Sequence, residues 1–274
     1  MARISDKSKN ENNLFSFGTN PSSGMDRAFT ILDLIARQPC RVVDITKALN
    51  IPWATVHRTT KKLEKAQFIS RDETTNRYEI GARMWYLGSS YLSNNKALTS
   101  SLEYLARAIK IRNADVQIVE RIGNYSVVIH AEKRQQHPIS KAQYGHHLPL
   151  HSGSKGHVLL AFSHSDFIDE YLSHPLDALT AKTVTDPHQL RAILDEVREN
   201  KFSMTFADVQ PHTGSMAAPI FDNLNNIAGC VCFVYLSNLA NDESACEELK
   251  QNLMVMSHNI SNDLGWRPTI NTNQ

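Results

Sequence analysis

Cysteine is scarce in this chain, four residues among 274 (Cys40, Cys230, Cys232 and Cys246), and no spacing among them builds a dense disulfide framework. A Cys-x-Cys pair can contribute to a metal site, but free cysteine more often behaves as a small buried hydrophobe, and a reducing cytoplasm is the expected location. Long apolar runs are missing too. None is long enough to cross a bilayer, and residues 1–23 are rich in Ser, Asn and Lys with no apolar stretch of an export signal, so they read as a disordered tail. No G-x-S-x-G elbow, P-loop or dinucleotide fingerprint is present, and Ser152 near His151 and His157 is the nearest approach to a nucleophile with a base. Catalysis is not expected, and no cofactor is implied.

Net charge is nearly absent as well, at +1, yet it is unevenly spread. Residues 24–90 hold eleven Lys/Arg against seven Asp/Glu, whereas residues 91–274 hold fifteen against nineteen. A cationic first third suits a small module that seeks phosphates, joined to a neutral or acidic remainder. The length itself suggests two domains.

What is present begins with a helix over residues 52–63. Val56, Thr60 and Leu63 recur at i, i+4 and i+7 and form its inner stripe, while Trp53, His57, Arg58, Lys61 and Lys62 fall elsewhere on the circumference. Before it come a helix with Ala28, Ile31, Leu32 and Ile35 inward, ended by Pro39, and a short helix from Asp44 to Leu49 with Ile45, Ala48 and Leu49 inward. Pro52 suits the first turn of the third helix. Residues 68–71 and 77–80 read as a hairpin, which completes a winged helix-turn-helix over 24–80. In that arrangement Trp53, Ala54 and Thr55 meet the groove floor, and Arg58 meets guanine O6/N7 or a phosphate. His57, Lys61 and Lys62 meet phosphates, and Arg71 and Arg77 flank the hairpin tip near the minor groove or backbone.

Residues 81–95 read as a linker helix, and residues 98–111 as a further helix with Leu98, Leu102, Leu105, Ala106 and Ile109 on one face. Beyond it the period becomes two. Val116, Ile118 and Glu120 alternate with Gln117, Val119 and Arg121, and residues 125–131 return as a paired strand around Gly123-Asn124. Helices over 153–162, 166–172, 186–199 and 242–264 and strands over 202–206, 215–221 and 227–236 make an α+β domain over residues 96–265, followed by a tail at 266–274.

Four histidines between His146 and His157 invite a metal-binding or enzymatic alternative, although the spacing follows no zinc pattern. The other reading is an anion site. Gly153 and Gly156 let the backbone turn into a helix whose first N–H groups are free for a carboxylate, and Ser154 and Lys155 lie where that anion would sit.

These segments in order, Asp26-Arg27-Ala28, Thr55-Val56-His57-Arg58, Tyr78-Glu79-Ile80-Gly81, Leu148-Pro149-Leu150-His151 with Gly156, and Ala217-Ala218-Pro219-Ile220-Phe221-Asp222, resemble the IclR family of bacterial transcriptional regulators. The resemblance implies a GAF-like effector-binding domain, a homodimer or homotetramer, and a palindromic double-stranded DNA operator near a catabolic operon. It also implies that Thr205, Ser215, Cys232 and Val234 line the effector pocket with Ser154 and Lys155. Val234 in place of a polar residue suggests an organic or aromatic acid with an apolar body. The chain departs from the family pattern at Thr59-Thr60, Gln67 and His157.

Overall fold

The computed structural model describes residues 23–107, 114–133, 145–237, 239 and 242–267. The tail expected over residues 1–22, the helical positions Ile109 and Ile111, and residues 268–274 lie outside the described residues. The chain divides between Asn94 and Asn95 into two compact units. Among the described residues, no helix is long and apolar enough to cross a membrane.

In the N-terminal unit, helices α1 (Gly24–Arg37), α2 (Val42–Leu49) and α3 (Trp53–Lys65) precede a hairpin of β1 (Ile69–Arg71) and β2 (Tyr78–Ile80), and α4 (Ala82–Asn94) follows. Ser23 starts α1 with a reciprocal cap: its hydroxyl accepts from Asp26 N at 3.0 Å, while its own N–H donates to the Asp26 carboxylate at 2.9 Å. Helix α2 begins two residues earlier than expected because the Asp44 carboxylate accepts the Arg41 N–H at 3.0 Å. Asn50 then closes α2 at φ 52°, a left-handed position that asparagine tolerates, and Pro52 precedes α3 as its cap instead of lying within its first turn.

Ile31, Ile35, Ile45, Ile51, Val56, Ile69 and Tyr78 form one small core with Cys40. Ala48, expected inward, is exposed. Cys40 and Tyr78 exchange backbone hydrogen bonds of 3.1 and 2.7 Å, so the hairpin is sewn to the segment between α1 and α2. Thr60 buries its hydroxyl by donating to the His57 carbonyl at 3.0 Å, which satisfies a polar group that would otherwise be stranded in this core.

The C-terminal unit is built on a six-stranded antiparallel sheet in the order β5-β4-β3-β8-β7-β6. Its strands are β3 (Asp115–Ile122), β4 (Tyr125–Glu132), β5 (His147–Pro149), β6 (Ser203–Phe206), β7 (Thr213–Phe221) and β8 (Ile227–Leu236). Helices α6 (Gly153–Ala161), α7 (Ser165–Leu172) and α8 (Pro187–Asn200) share one core with Val119, Val128, Ala217, Cys230 and Cys232 of the sheet. Helices α5 (Lys96–Arg107) and α9 (Glu243–Asp263) pack on each other and on the sheet. Both parities of β8 are therefore buried, Cys230 and Cys232 as well as Val231 and Phe233.

The same double coverage corrects the alternation expected in β3. Asp115 through Glu120 are all buried, and the register shifts between Ile118 and Val119, so polar and apolar residues there do not sort by face. Asp186 caps α8 through Gln189 N at 2.7 Å with Pro187 next, as its sequence indicates. Fold and sequence agree on an N-terminal helix-turn-helix and a C-terminal α+β domain.

Candidate functional site

Helix α3 carries seven of the nine residues expected to touch DNA. Trp53, Ala54, Arg58, Lys61 and Lys62 are exposed, and Thr55 and His57 are half-buried. Trp53 and His57, one turn apart, stack with ring centroids 4.8 Å apart and planes 9° from parallel, which gives the start of the helix a flat aromatic slab. Lys61 is paired with Glu64 at 2.9 Å, and that hydrogen bond is the first cause of its raised pKa. Arg71 bonds Asn76 across the hairpin turn, and Arg77 donates to the Pro39 carbonyl at 2.8 Å. These three cations are engaged within the protein. Arg58 and Lys62, by contrast, have no hydrogen-bond or ion-pair partner among the described residues, so their donors are open to an external anion.

In the C-terminal unit, five of the six expected effector residues come to one cavity. Lys155 from α6, Thr205 from β6, Ser215 from β7, and Cys232 and Val234 from β8 line it, together with His146, Leu148 and Asp208. Cys232 and Val234 are two apart on one strand and share its face. Ser154 stands just behind: its hydroxyl is 2.8 Å from Ser215 Oγ, which is 3.1 Å from Thr205 Oγ1, so three hydroxyls make a connected chain. The cavity is about 40 Å³, room for a few waters and not for an aromatic acid in this conformation.

One expectation is corrected here. The first N–H groups of α6 are not free: Gly153 N donates to Asp208 Oδ2 at 2.9 Å, and Ser154 N points to Ser215 Oγ at 3.4 Å. The protein supplies its own carboxylate to the helix start, where backbone donors and the helix dipole favour negative charge. Burial pushes the Asp208 carboxyl up, and the Gly153 N–H pulls it back. Nothing local in the sequence marks Asp208, since it acts on a backbone group 55 residues away.

The four histidines are dispersed. His151 is fixed between the Tyr171 hydroxyl at 2.8 Å and the Asp177 carbonyl at 2.9 Å, His157 Nε2 donates to the His151 carbonyl at 3.0 Å, and His147 packs edge-on to Tyr125. Among the described residues, no three potential metal ligands come together. Burial pushes the Cys230 and Cys232 thiols up, so neither is a ready thiolate.

His146 and His157 are each held down to about 4, by burial first. The unfolded chain protonates both near 6.5 and the folded one only near 4, so their contribution to stability falls as pH drops through that window. Burial also holds His151 down, and Asp208 acts in the opposite sense, one group against three. The melting temperature of the C-terminal unit is expected to fall between about pH 6.5 and 4, and less in a His157→Gln chain, whose amide can still donate to the His151 carbonyl. Equal slopes in the two chains would refute the assignment to His157.

Comparison with known proteins bears on both units. Residues 24–73 match the family model described as the IclR helix-turn-helix domain, and residues 89–262 match that of the bacterial transcriptional regulator IclR C-terminal domain. The HTH-type transcriptional repressor AllR of Klebsiella pneumoniae is 25% identical over 252 residues, covering 90% of this chain and 92% of that protein. The glycerol operon regulatory protein of Streptomyces griseus is 26% identical over 250 residues, covering 88% and 96%. Among solved structures, an IclR transcriptional regulator from Silicibacter sp. TM1040 aligns with a TM-score of 0.78 at 21% identity, covering 90% of this chain and 98% of that one. An IclR homolog from Microbacterium hydrocarbonoxydans, complexed with 4-hydroxybenzoate, aligns at 0.75 and 22%, covering 89% and 99%.

Proposed function

The chain belongs to the IclR family of bacterial transcriptional regulators, and from that premise we propose a sequence-specific regulator whose α3 reads an operator while the C-terminal cavity binds a small organic acid. The observation that carries the effector half is the meeting of residues from α6, β6, β7 and β8 around one cavity that contains the buried cation Lys155. An acid entering there meets Lys155 and the hydroxyl chain together with the apolar side chains of Leu148, Val209 and Val234, which suits a carboxylate with an apolar body. Its carboxylate must displace Asp208 from Gly153 N or bind beside it. The 4-hydroxybenzoate complex of the Microbacterium protein supports an acid of this kind.

The DNA half rests on α3. Its core-facing Val56 and Thr60 hold it against α1 and α2, leaving Arg58 and Lys62 as open donors and the Trp53–His57 slab at the end that enters the groove. Helix α4 leaves Trp85, Tyr86, Leu87 and Tyr91 exposed, apolar surface that supports self-association into a homodimer or homotetramer, as two operator half-sites require.

An Arg58→Ala chain is expected to bind operator DNA about 10- to 100-fold more weakly, the loss of about 1–3 kcal/mol for a bidentate base contact. Lys62→Ala should weaken binding to all sequences alike and lower the salt slope by about 1. Fluorescence anisotropy across a salt series reads both, and unchanged affinity and slope in both chains would remove α3 from the interface. For the effector, carboxylic acids should raise the melting temperature of the chain; stabilisation by sugars or amines and never by acids would sink that half.

A further inference from the structure

The Trp53–His57 slab carries more information than its apolar area. Trp53 opens α3, lies outside the core of its unit and is 53% exposed, yet its ring is stacked on that of His57, one turn on, with centroids 4.8 Å apart and planes 9° from parallel. Stacking restricts the rotamers of an indole that would otherwise swing freely, so little freedom is left to lose when it meets a ligand. Helical side chains lean toward the N-terminus, which places the slab over the first turn of α3. The same stack covers one indole face. A ring that wedges between base steps needs both faces, so this one is suited to contact from the groove and not to insertion. Its N–H is a donor only and has no hydrogen-bond partner among the described residues.

One apolar face beside one donor selects among the base edges of the major groove. Guanine presents two acceptors there, adenine an acceptor and a donor, cytosine a donor, and thymine the O4 acceptor next to its C5-methyl group. Against adenine or cytosine the indole would set its donor or its apolar face on an amino group, and against guanine the face would find no apolar partner. Thymine alone matches both features. We propose that Trp53 reads a thymine of the operator, its ring packing on the C5-methyl group while Nε1–H donates to O4; this rests on reading α3 as the helix that enters the groove. His57 acts through the indole by fixing its orientation. Arg58, with donors only and no apolar face, is left to guanine or a phosphate, so the two side chains divide the readout by chemistry.

The full-length chain selects duplexes from a randomised pool, and fluorescence anisotropy then measures its affinity for the most enriched duplex with each thymine in turn replaced by deoxyuridine, which keeps O4 and lacks the methyl. At one thymine, affinity is expected to fall about fourfold, the worth of one buried methyl group. At that position 5-methylcytosine, paired with guanine, keeps the methyl but turns an amino donor toward the indole, and should weaken binding about tenfold. In Trp53→Ala both losses should disappear while the salt slope stays as in the parent, the sign that the fold and the phosphate contacts survive. Trp53→Phe, which keeps a ring and lacks the N–H, should retain the methyl effect and tolerate 5-methylcytosine. Arg58→Ala should lower every affinity and leave both ratios unchanged. A methyl effect that persists in Trp53→Ala belongs to DNA shape or to another side chain and overturns the inference, as does an enriched duplex in which no thymine shows one. If the pool yields no enriched sequence, the reading of α3 as an operator-binding helix falls with it.

Discussion

A Gly156→Ala chain is expected to melt at a markedly lower temperature in its C-terminal unit while the N-terminal one is unchanged. A Cβ at position 156 would lie 2.5 Å from the Leu150 carbonyl oxygen and 2.9 Å from its carbon, well inside contact distance and against backbone, not a movable side-chain tip. Leu150 is itself fully buried in the core shared by α6, α7 and α8, so the chain there has nowhere to retreat. The cost is about 3 kcal/mol, the upper end for overpacking, because relief requires α6 to move off the sheet. Since α6 also carries Ser154 and Lys155, stabilisation by acids should disappear with it. Gly24→Ala, where an added Cβ meets nothing within 4 Å, is the control and should melt like the parent. Differential scanning calorimetry decides: two unchanged transitions in Gly156→Ala would show that α6 and Leu150 can separate cheaply.

The second large effect is expected at Tyr78. Its ring is 2% exposed in a core of eight buried residues, and its backbone makes the two hydrogen bonds that join the hairpin to Cys40. Removing a buried ring costs about 3–5 kcal/mol. A unit this small holds a margin of similar size, so Tyr78→Ala should leave it unfolded at ambient temperature. Binding to DNA of any sequence should vanish while acid-dependent stabilisation of the other unit remains. Tyr78→Phe, which keeps the ring, should bind as the parent does. If Tyr78→Ala still binds with an unchanged salt slope, the hairpin is dispensable to the fold of the unit.

Much of this architecture was legible because local signals and packing agreed. Val56, Thr60 and Leu63 fixed the inner face of α3, and Asp186-Pro187 fixed the start of α8. What escaped depends on contacts distant in sequence. Strand β5 is three residues ending in Pro149 at the edge of the sheet, too short for any alternation to register. In β3 the expected alternation is lost, because helices pack on both faces and Asp115 through Glu120 are all buried. Ala48 has the right spacing to be buried and is exposed because α2 packs along Ile45 alone at full depth. The site divides the same way. Glycines 153 and 156 announce the start of α6, whereas Asp208 reaches it from a loop after β6 and closes the donors that the glycines seemed to leave open.

The small volume of the effector cavity sets more than its shape. On the proposed reading, an acid larger than a few waters needs the wall residues to move apart, and the free energy of that opening subtracts from its affinity. On the same reading, substitutions that loosen Leu148 or Val209 in that wall would shift the acid concentration at which the regulator responds without touching either the acid or the DNA.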